Sequence, residues 1–199
     1  MKPSARRLGG FTLIELMVTI AIAAILMMVA APSFVSFQRN AELTGAANSL
    51  LASINAARSE GMKRNMPALV VPADGATWES GWIVFVHKPN GGINENYTEG
   101  TDIFVSRQGP LPSYFSANGD GSATEGGTPV NIRFNGSGFA RRIDGTSGNL
   151  TLSISRNDIS GQDQLDQTRR IVVAPSGRTR VCKPTSSTDA NCLPGNNTN

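Results

Sequence analysis

LGGFTLIELMVTIAIAAILMMVAAP, residues 8–32, carries a single carboxylate, Glu15, at the head of a run that is apolar from Leu16 to Ala31 except for Thr19. Phe11, Leu13 and Ile14 extend the run backwards. About 20 apolar residues in a helix cross a bilayer core of about 30 Å, so this stretch has the length and polarity of a membrane span. A charge inside such a span costs a few kcal/mol on insertion scales and is normally matched by a partner. Glu15 sits where the helix begins, and there the helix dipole favours an acidic group. The cations Lys2, Arg6 and Arg7 precede the run and orient it with the C-terminal portion outside the cytoplasm. An ordinary secretory signal differs in having a shorter apolar core, about 7–15 residues, with its small-residue cleavage site behind it. Here Gly9-Gly10 stand in front of the core.

Beyond this run, Pro32 is expected to kink or loosen the helix, because it removes a backbone donor. Leu43, Ala47, Leu50, Ile54 and Ala57 then recur at helical spacing, with Arg39, Glu42, Asn48, Ser49, Asn55 and Arg58 largely off that stripe. The pattern predicts an amphipathic continuation whose apolar stripe faces a globular head. Gly61 through Pro67 marks its end, with Lys63 and Arg64 suitably placed at the C-terminus. Residues 11–64 are therefore expected to form one helix, roughly 80 Å long at about 1.5 Å per residue.

After Pro67 the pattern changes to short β-rich runs. Expected strands are Ala68–Val71, Trp82–His87, Asp102–Ser106, Val130–Phe134, Leu150–Ser155, Arg169–Ala174 and Thr179–Cys182. Asn135-Gly136-Ser137-Gly138 and Pro175-Ser176-Gly177 are turn signals. Residues 88–100 and 107–129 read as loops, and there is no internal repeat. The expected class is α+β, with one antiparallel sheet wrapped on the C-terminal half of the long helix.

The net charge of +3 comes entirely from Lys2, Arg6 and Arg7, since without them basic and acidic side chains are equal at 15 each. The remainder is polarised: residues 67–132 hold 2 basic and 7 acidic side chains, and residues 133–183 hold 9 and 4. A balanced chain with such a basic stretch can still bind a polyanion locally. Cys182 and Cys192 have nine residues between them. Behind an export segment the pair reads as a disulfide rather than as a metal site or two free thiols. It would contribute about 2–3 kcal/mol in the chain-entropy account, chiefly by restraining the tail.

Nothing points to catalysis. The single histidine, His87, ends an apolar strand and reads as a surface or strand-end residue rather than a base. Asn118-Gly119-Asp120-Gly121-Ser122 has part of a calcium-loop pattern, but Glu125 comes too early to be the bidentate ligand, so a flexible loop is the better reading. No catalytic residue, metal ligand or cofactor is assigned, and the chain is expected not to be an enzyme.

Leu8-Gly9-Gly10-Phe11-Thr12-Leu13-Ile14-Glu15 resembles the prepilin leader of type IV pilins and type II secretion pseudopilins. That resemblance implies cleavage after Gly10 by a membrane peptidase and methylation of the new N-terminal residue, Phe11. It also implies that Glu15 pairs with the N-terminal amine of a neighbouring subunit, rather than serving only its own helix end. Within this group, Asn55–Asn65 resembles the helix end of FimT/GspH minor pilins and pseudopilins, and Ile132–Gly138 and Gly177–Cys182 resemble its two hairpin regions. Only residues 90–128 lack a counterpart.

Composition alone makes the C-terminal cations an ordinary solvated face, or a match for the acidic stretch of a neighbouring subunit. Gly177-Arg178-Thr179-Arg180, however, resembles the Gly-Arg-x-Arg motif of FimT-type pilins, which bind DNA in natural transformation. On an extended segment residues 178 and 180 share a face, about 7 Å apart, and arginine can hold phosphate bidentately. Arg178 and Arg180 are thus the leading DNA contacts, with Lys183 and Arg170 in support. The implied organisation is a leader at 1–10, a transmembrane and assembly helix at 11–38, an amphipathic continuation at 39–66, a β-rich head at 67–183 and a flexible tail at 184–199. The implied setting is a bacterial inner-membrane subunit with a periplasmic head, later drawn into a filament. Prepilin peptidase, other pilins or pseudopilins, the membrane and the DNA phosphate backbone are its expected partners. The rival expectations are a GspH-like pseudopilin of a secretion system and a priming subunit that binds no DNA.

Overall fold

The computed structural model describes residues 10–88, 96–119, 124–125, 128–129, 131–142, 150–186, 189 and 192. The chain divides into two compact units, Met1–Ala41 and Glu42–Asn199. Helix α1 (Leu13–Arg64) runs through both.

In the first unit the large apolar side chains are exposed, Leu13, Met28 and Phe37 at 76%, 79% and 71%. Among the described residues no single helix is long and apolar enough to cross a membrane by itself. Leu13–Met28 and Ser33–Arg64, bent by 46°, meet the length and composition together. The bend falls in the stretch where Pro32 was expected to act, though the side chain of Pro32 is outside the described set.

The second unit is built on the stripe. Leu43, Ala47, Leu50, Ile54 and Ala57 are all at most 1% exposed. Asn65, with φ of 52°, takes the left-handed conformation just past the helix end. The strands are β1 (Ala68–Pro72), β2 (Trp82–Val86), β3 (Ile103–Gln108), β4 (Phe115–Gly119), β5 (Thr124–Glu125), β6 (Thr128–Pro129), β7 (Ile132–Phe134), β8 (Ala140–Arg141), β9 (Leu150–Arg156), β10 (Thr168–Val173) and β11 (Thr179–Cys182). A short helix, α2 (Gly161–Asp166), joins β9 to β10.

The expected single sheet is in fact two, ordered β3-β2-β1-β7-β8 and β11-β10-β9-β4, with β5 and β6 as a separate pair. The ladder breaks where β8 meets the turn after β10. Ala140 donates its N–H to the Pro175 carbonyl at 3.0 Å, and Pro175 has no N–H to return. The inner faces of both main sheets join one core with the stripe of α1: Ala68, Val70, Val84, Ile132 and Phe134 from one, Leu152, Ile154, Ile171 and Val173 from the other. Trp82 completes the contact by donating Nε1–H to Ser53 Oγ at 2.8 Å.

The loop expected over 107–129 is also corrected. Phe115–Gly119 is a strand, paired antiparallel to β9 with Phe115 opposite Arg156 and Ala117 opposite Ile154. Glu79 holds it in place by accepting the Ala117 N–H at 2.8 Å.

The turn after β1 is pinned by one carboxylate. Asp74 Oδ1 accepts the N–H groups of Ala76 and Thr77, both at 2.8 Å, and Oδ2 accepts the Thr77 hydroxyl. These bonds hold its pKa well below the ordinary aspartate range, the Thr77 N–H contributing most. A depressed folded pKa adds stability above the unfolded value, and that contribution is lost as pH falls through the acid range. Asp74→Asn is therefore expected to show a shallower decline of melting temperature on acidification than the parent. Parallel curves would remove Asp74 from the acid sensitivity.

Candidate functional site

Thr12 and Glu15 form a reciprocal cap at the start of α1. Glu15 Oε2 accepts the Thr12 N–H at 3.0 Å and the Thr12 hydroxyl at 2.8 Å, while the Glu15 N–H donates to Thr12 Oγ1 at 3.3 Å. Within one chain, then, the carboxylate serves its own helix end through Oε2, and Oε1 has no hydrogen bond among the described residues. Gly10 and Phe11 are exposed, Phe11 at 80%. Residues 1–9, including Lys2, Arg6 and Arg7, lie outside the described set.

The second group of residues sits on the β10–β11 hairpin. Arg170 lies opposite Cys182 and Arg180 opposite Val172, and the Ala174 N–H donates to the Arg178 carbonyl at 2.9 Å to close the turn. Ile171, Val173 and Val181 point to the core, so alternation sends Arg170, Arg180 and Cys182 to the opposite face. Arg178 continues the same alternation and is exposed. Arg169, one residue out of phase, turns inward and donates to Thr44 Oγ1 at 3.4 Å and to the Thr168 carbonyl at 2.9 Å. Burial holds its pKa below the ordinary arginine value.

The four expected DNA contacts are thus not equivalent. Arg178 and Arg180 share an outward face. Arg170 shares it too, but its Nη1 reaches the Cys192 carbonyl at 3.4 Å. Lys183 has the other parity, and its Nζ lies 3.1 Å from Asp166 Oδ1. The Cys182–Cys192 disulfide is formed, with Cα atoms 5.9 Å apart, and Cys192 is 1% exposed. Thr185 donates through its N–H and its hydroxyl to Asp189 Oδ2, both at 2.9 Å, so these tail residues are tied to one another. Residues 187, 188, 190, 191 and 193–199 of the tail are outside the described set.

One supporting residue has no signature in the apolar pattern. Arg58, off the apolar stripe, donates Nε–H to the Gly138 carbonyl at 2.9 Å and Nη2–H to the Ser176 carbonyl at 3.2 Å. It ties the turn after β7 and the turn before β11 to the helix. A Cβ on Gly177, whose φ is +81°, would lie 2.1 Å from the Gly138 oxygen and 2.7 Å from Arg58 Nε. The helix end and the two hairpins singled out in the sequence therefore meet at one guanidinium. That convergence fixes the turn from which Arg178 and Arg180 extend.

His87 is not at the surface, as one of its two expected placements had it. It is 5% exposed at the end of β2, with Nδ1 2.8 Å from Asp102 Oδ1, and Asp102 Oδ2 accepts the Thr98 N–H at 2.8 Å. The pair anchors the chain entering β3. Asn118 and Gly119 of the calcium-like segment end β4, and 120–123 lie outside the described set. Among the described residues no group of three or more His, Cys, Asp or Glu is placed to hold a metal ion.

A family model described as "Type II transport protein GspH" matches residues 46–177, and one described as "Prokaryotic N-terminal methylation motif" matches residues 6–31. The first takes in Arg58, Gly138 and Gly177 and stops one residue short of Arg178. No curated protein sequence matches the chain. Among solved structures, the type IV minor pilin FimU of Pseudomonas aeruginosa is similar at 20% identity and a TM-score of 0.53, over 76% of this chain and 95% of that one. The minor pseudopilin EpsH from the type 2 secretion system of Vibrio cholerae aligns at 14% identity and a TM-score of 0.48, over 73% of this chain and 99% of that one.

Proposed function

This chain belongs to the GspH family and has a type IV pilin-like α+β fold, and from that premise we propose that it is a minor pilin of a type IV pilus that captures extracellular DNA. In this reading its first helix holds it in the bacterial inner membrane with the head in the periplasm. Prepilin peptidase cuts between Gly10 and Phe11, Phe11 is methylated, and Glu15 pairs with the amine of a neighbouring pilin as the subunit enters the filament. The methylation-motif match over residues 6–31 and the exposed apolar side chains of the first unit support this part. The head then acts by binding rather than by catalysis.

The observation that carries the DNA assignment is the common outward face of Arg178 and Arg180, on a hairpin whose turn is held by Arg58. Arginines on a strand face meet phosphates without reading base edges, so binding would be independent of sequence, weak per subunit and strongly salt-dependent. Neighbouring subunits would add avidity. A second reading, a pseudopilin of a type II secretion system, is favoured by the description of the matched family. A strain carrying Arg178→Ala/Arg180→Ala separates them. The DNA-capturing pilin predicts normal surface filaments and normal protein secretion with DNA uptake reduced to background. Intact uptake with lost secretion would put the chain in the secretion machine.

A further inference from the structure

The outward arginines do not stop at the β10–β11 hairpin. Arg133 on β7 lies opposite Leu69 and opposite Arg141 on β8. Leu69 belongs to the cluster with Val71, Ile83 and Phe85 on the side of the five-stranded sheet away from the α1 core, whereas Ala140 is in that core. Arg133 and Arg141 therefore share the helix-distal face, which is the face that Arg170, Arg178 and Arg180 occupy on the other sheet. The two sets meet at the seam. Ala140 bonds to Pro175, and the Gly138 carbonyl packs against Gly177, immediately before Arg178.

Phe139 stands at this seam, 45% exposed, with the Arg141 guanidinium 5.6 Å from its ring centroid. Its backbone is fixed. Asn135 Oδ1 accepts the Phe139 N–H at 2.9 Å and the Ser137 N–H at 3.1 Å, and the Asn135 N–H donates to the Phe139 carbonyl at 3.0 Å. An exposed ring on a preorganised turn, with an arginine against it, is the combination with which proteins hold unpaired bases. A paired duplex keeps its bases inside and offers such a ring only sugar and phosphate.

We propose that Phe139 is a base-stacking position and that, with Arg141, it extends the arginine surface across the seam, so that the head holds single strands more tightly than duplex. This rests on the nucleic-acid reading of Arg178 and Arg180. Electrostatics alone favours the more highly charged duplex, so a preference for single strands is diagnostic of stacking.

The test uses the full-length protein in detergent, titrated with labelled oligothymidylate and with a duplex of the same length. The wild type is expected to prefer the single strand. Phe139→Ala and Phe139→Leu are expected to weaken single-strand binding about fivefold or more, and Phe139→Trp to retain it. Duplex affinity should stay within about twofold throughout, since no base reaches the ring. Equal loss for both ligands, no loss, or a wild type without single-strand preference would overturn the stacking role. If duplex binding still depends on Arg178 and Arg180 in those cases, the DNA reading stands alone. If the wild type binds neither ligand, both readings fall, and Phe139 is left as a contact for another protein.

Discussion

Gly177→Val is expected to destabilise the head by about 3–5 kcal/mol, the largest effect of any single substitution on this surface. Two independent penalties converge there. A β-branched residue at a φ of +81° is in the left-handed region, which costs a non-glycine residue roughly 1–2 kcal/mol. Its Cβ would also stand 2.1 Å from the Gly138 oxygen and 2.7 Å from Arg58 Nε, so the turn must move and surrender hydrogen bonds from Arg58. Bonds from a charged donor are worth roughly 1.5–3 kcal/mol each. Arg58→Ala in the same background should be markedly less than additive, because part of what it removes is already gone. Urea unfolding of the two single variants and the double reads both numbers. A Gly177→Val midpoint equal to wild type would mean that the helix end and the hairpins do not meet at Arg58.

The second large effect concerns assembly. In the proposed filament, Glu15→Ala should fall to background in sheared pili, although the subunit is still made and inserted. The single chain supplies a control, since Glu15 also caps its own helix through Thr12. If capping were the whole role, Glu15→Gln, whose amide oxygen still accepts both Thr12 bonds, would enter filaments. If the carboxylate serves a neighbour's amine, Glu15→Gln is excluded as Glu15→Ala is. Entry of Glu15→Gln at the wild-type level would remove the intersubunit pairing from the account.

How far the sequence could be read follows from where each interaction is made. Leu43 to Ala57 were legible because a helix against a core must repeat its apolar residues at its own period. Strands such as β1, expected over Ala68–Val71 and observed over Ala68–Pro72, were legible as short apolar runs between turns. Phe115–Gly119 was not: Phe-Ser-Ala-Asn-Gly has little intrinsic β-character, and pairing with β9 overrides it. Gly161–Asp166 is too short to display a helical period. His87 gave no sign of burial, because its partner, Asp102, lies 15 residues downstream.

The candidate site divides along the same line. Alternation predicts one face for residues 178 and 180 wherever the segment is extended, and β11 itself begins at Thr179. Alternation could not show that Lys183 meets Asp166 or that Arg169 turns towards Thr44, because both depend on what packs beside the hairpin. The role of Arg58 has no local signature, because it lies off the stripe and its carbonyl partners belong to distant turns, although Gly138 and Gly177 are visible there as turn signals. Thr12-x-x-Glu15 has the spacing of a capping box, a signal masked in the sequence by the apolar run around it.

The central claim is that Arg178 and Arg180 hold the phosphate backbone, and direct binding tests it. Full-length protein in detergent, with the Cys182–Cys192 bridge intact, is titrated with two duplexes of unrelated sequence at low and moderate salt, beside Arg178→Ala/Arg180→Ala. The account predicts equal affinity for the two sequences, a steep fall with salt, and a salt slope shallower by about two in the variant. A folded protein that binds neither duplex at low salt, or a variant that binds as the parent does, would contradict it.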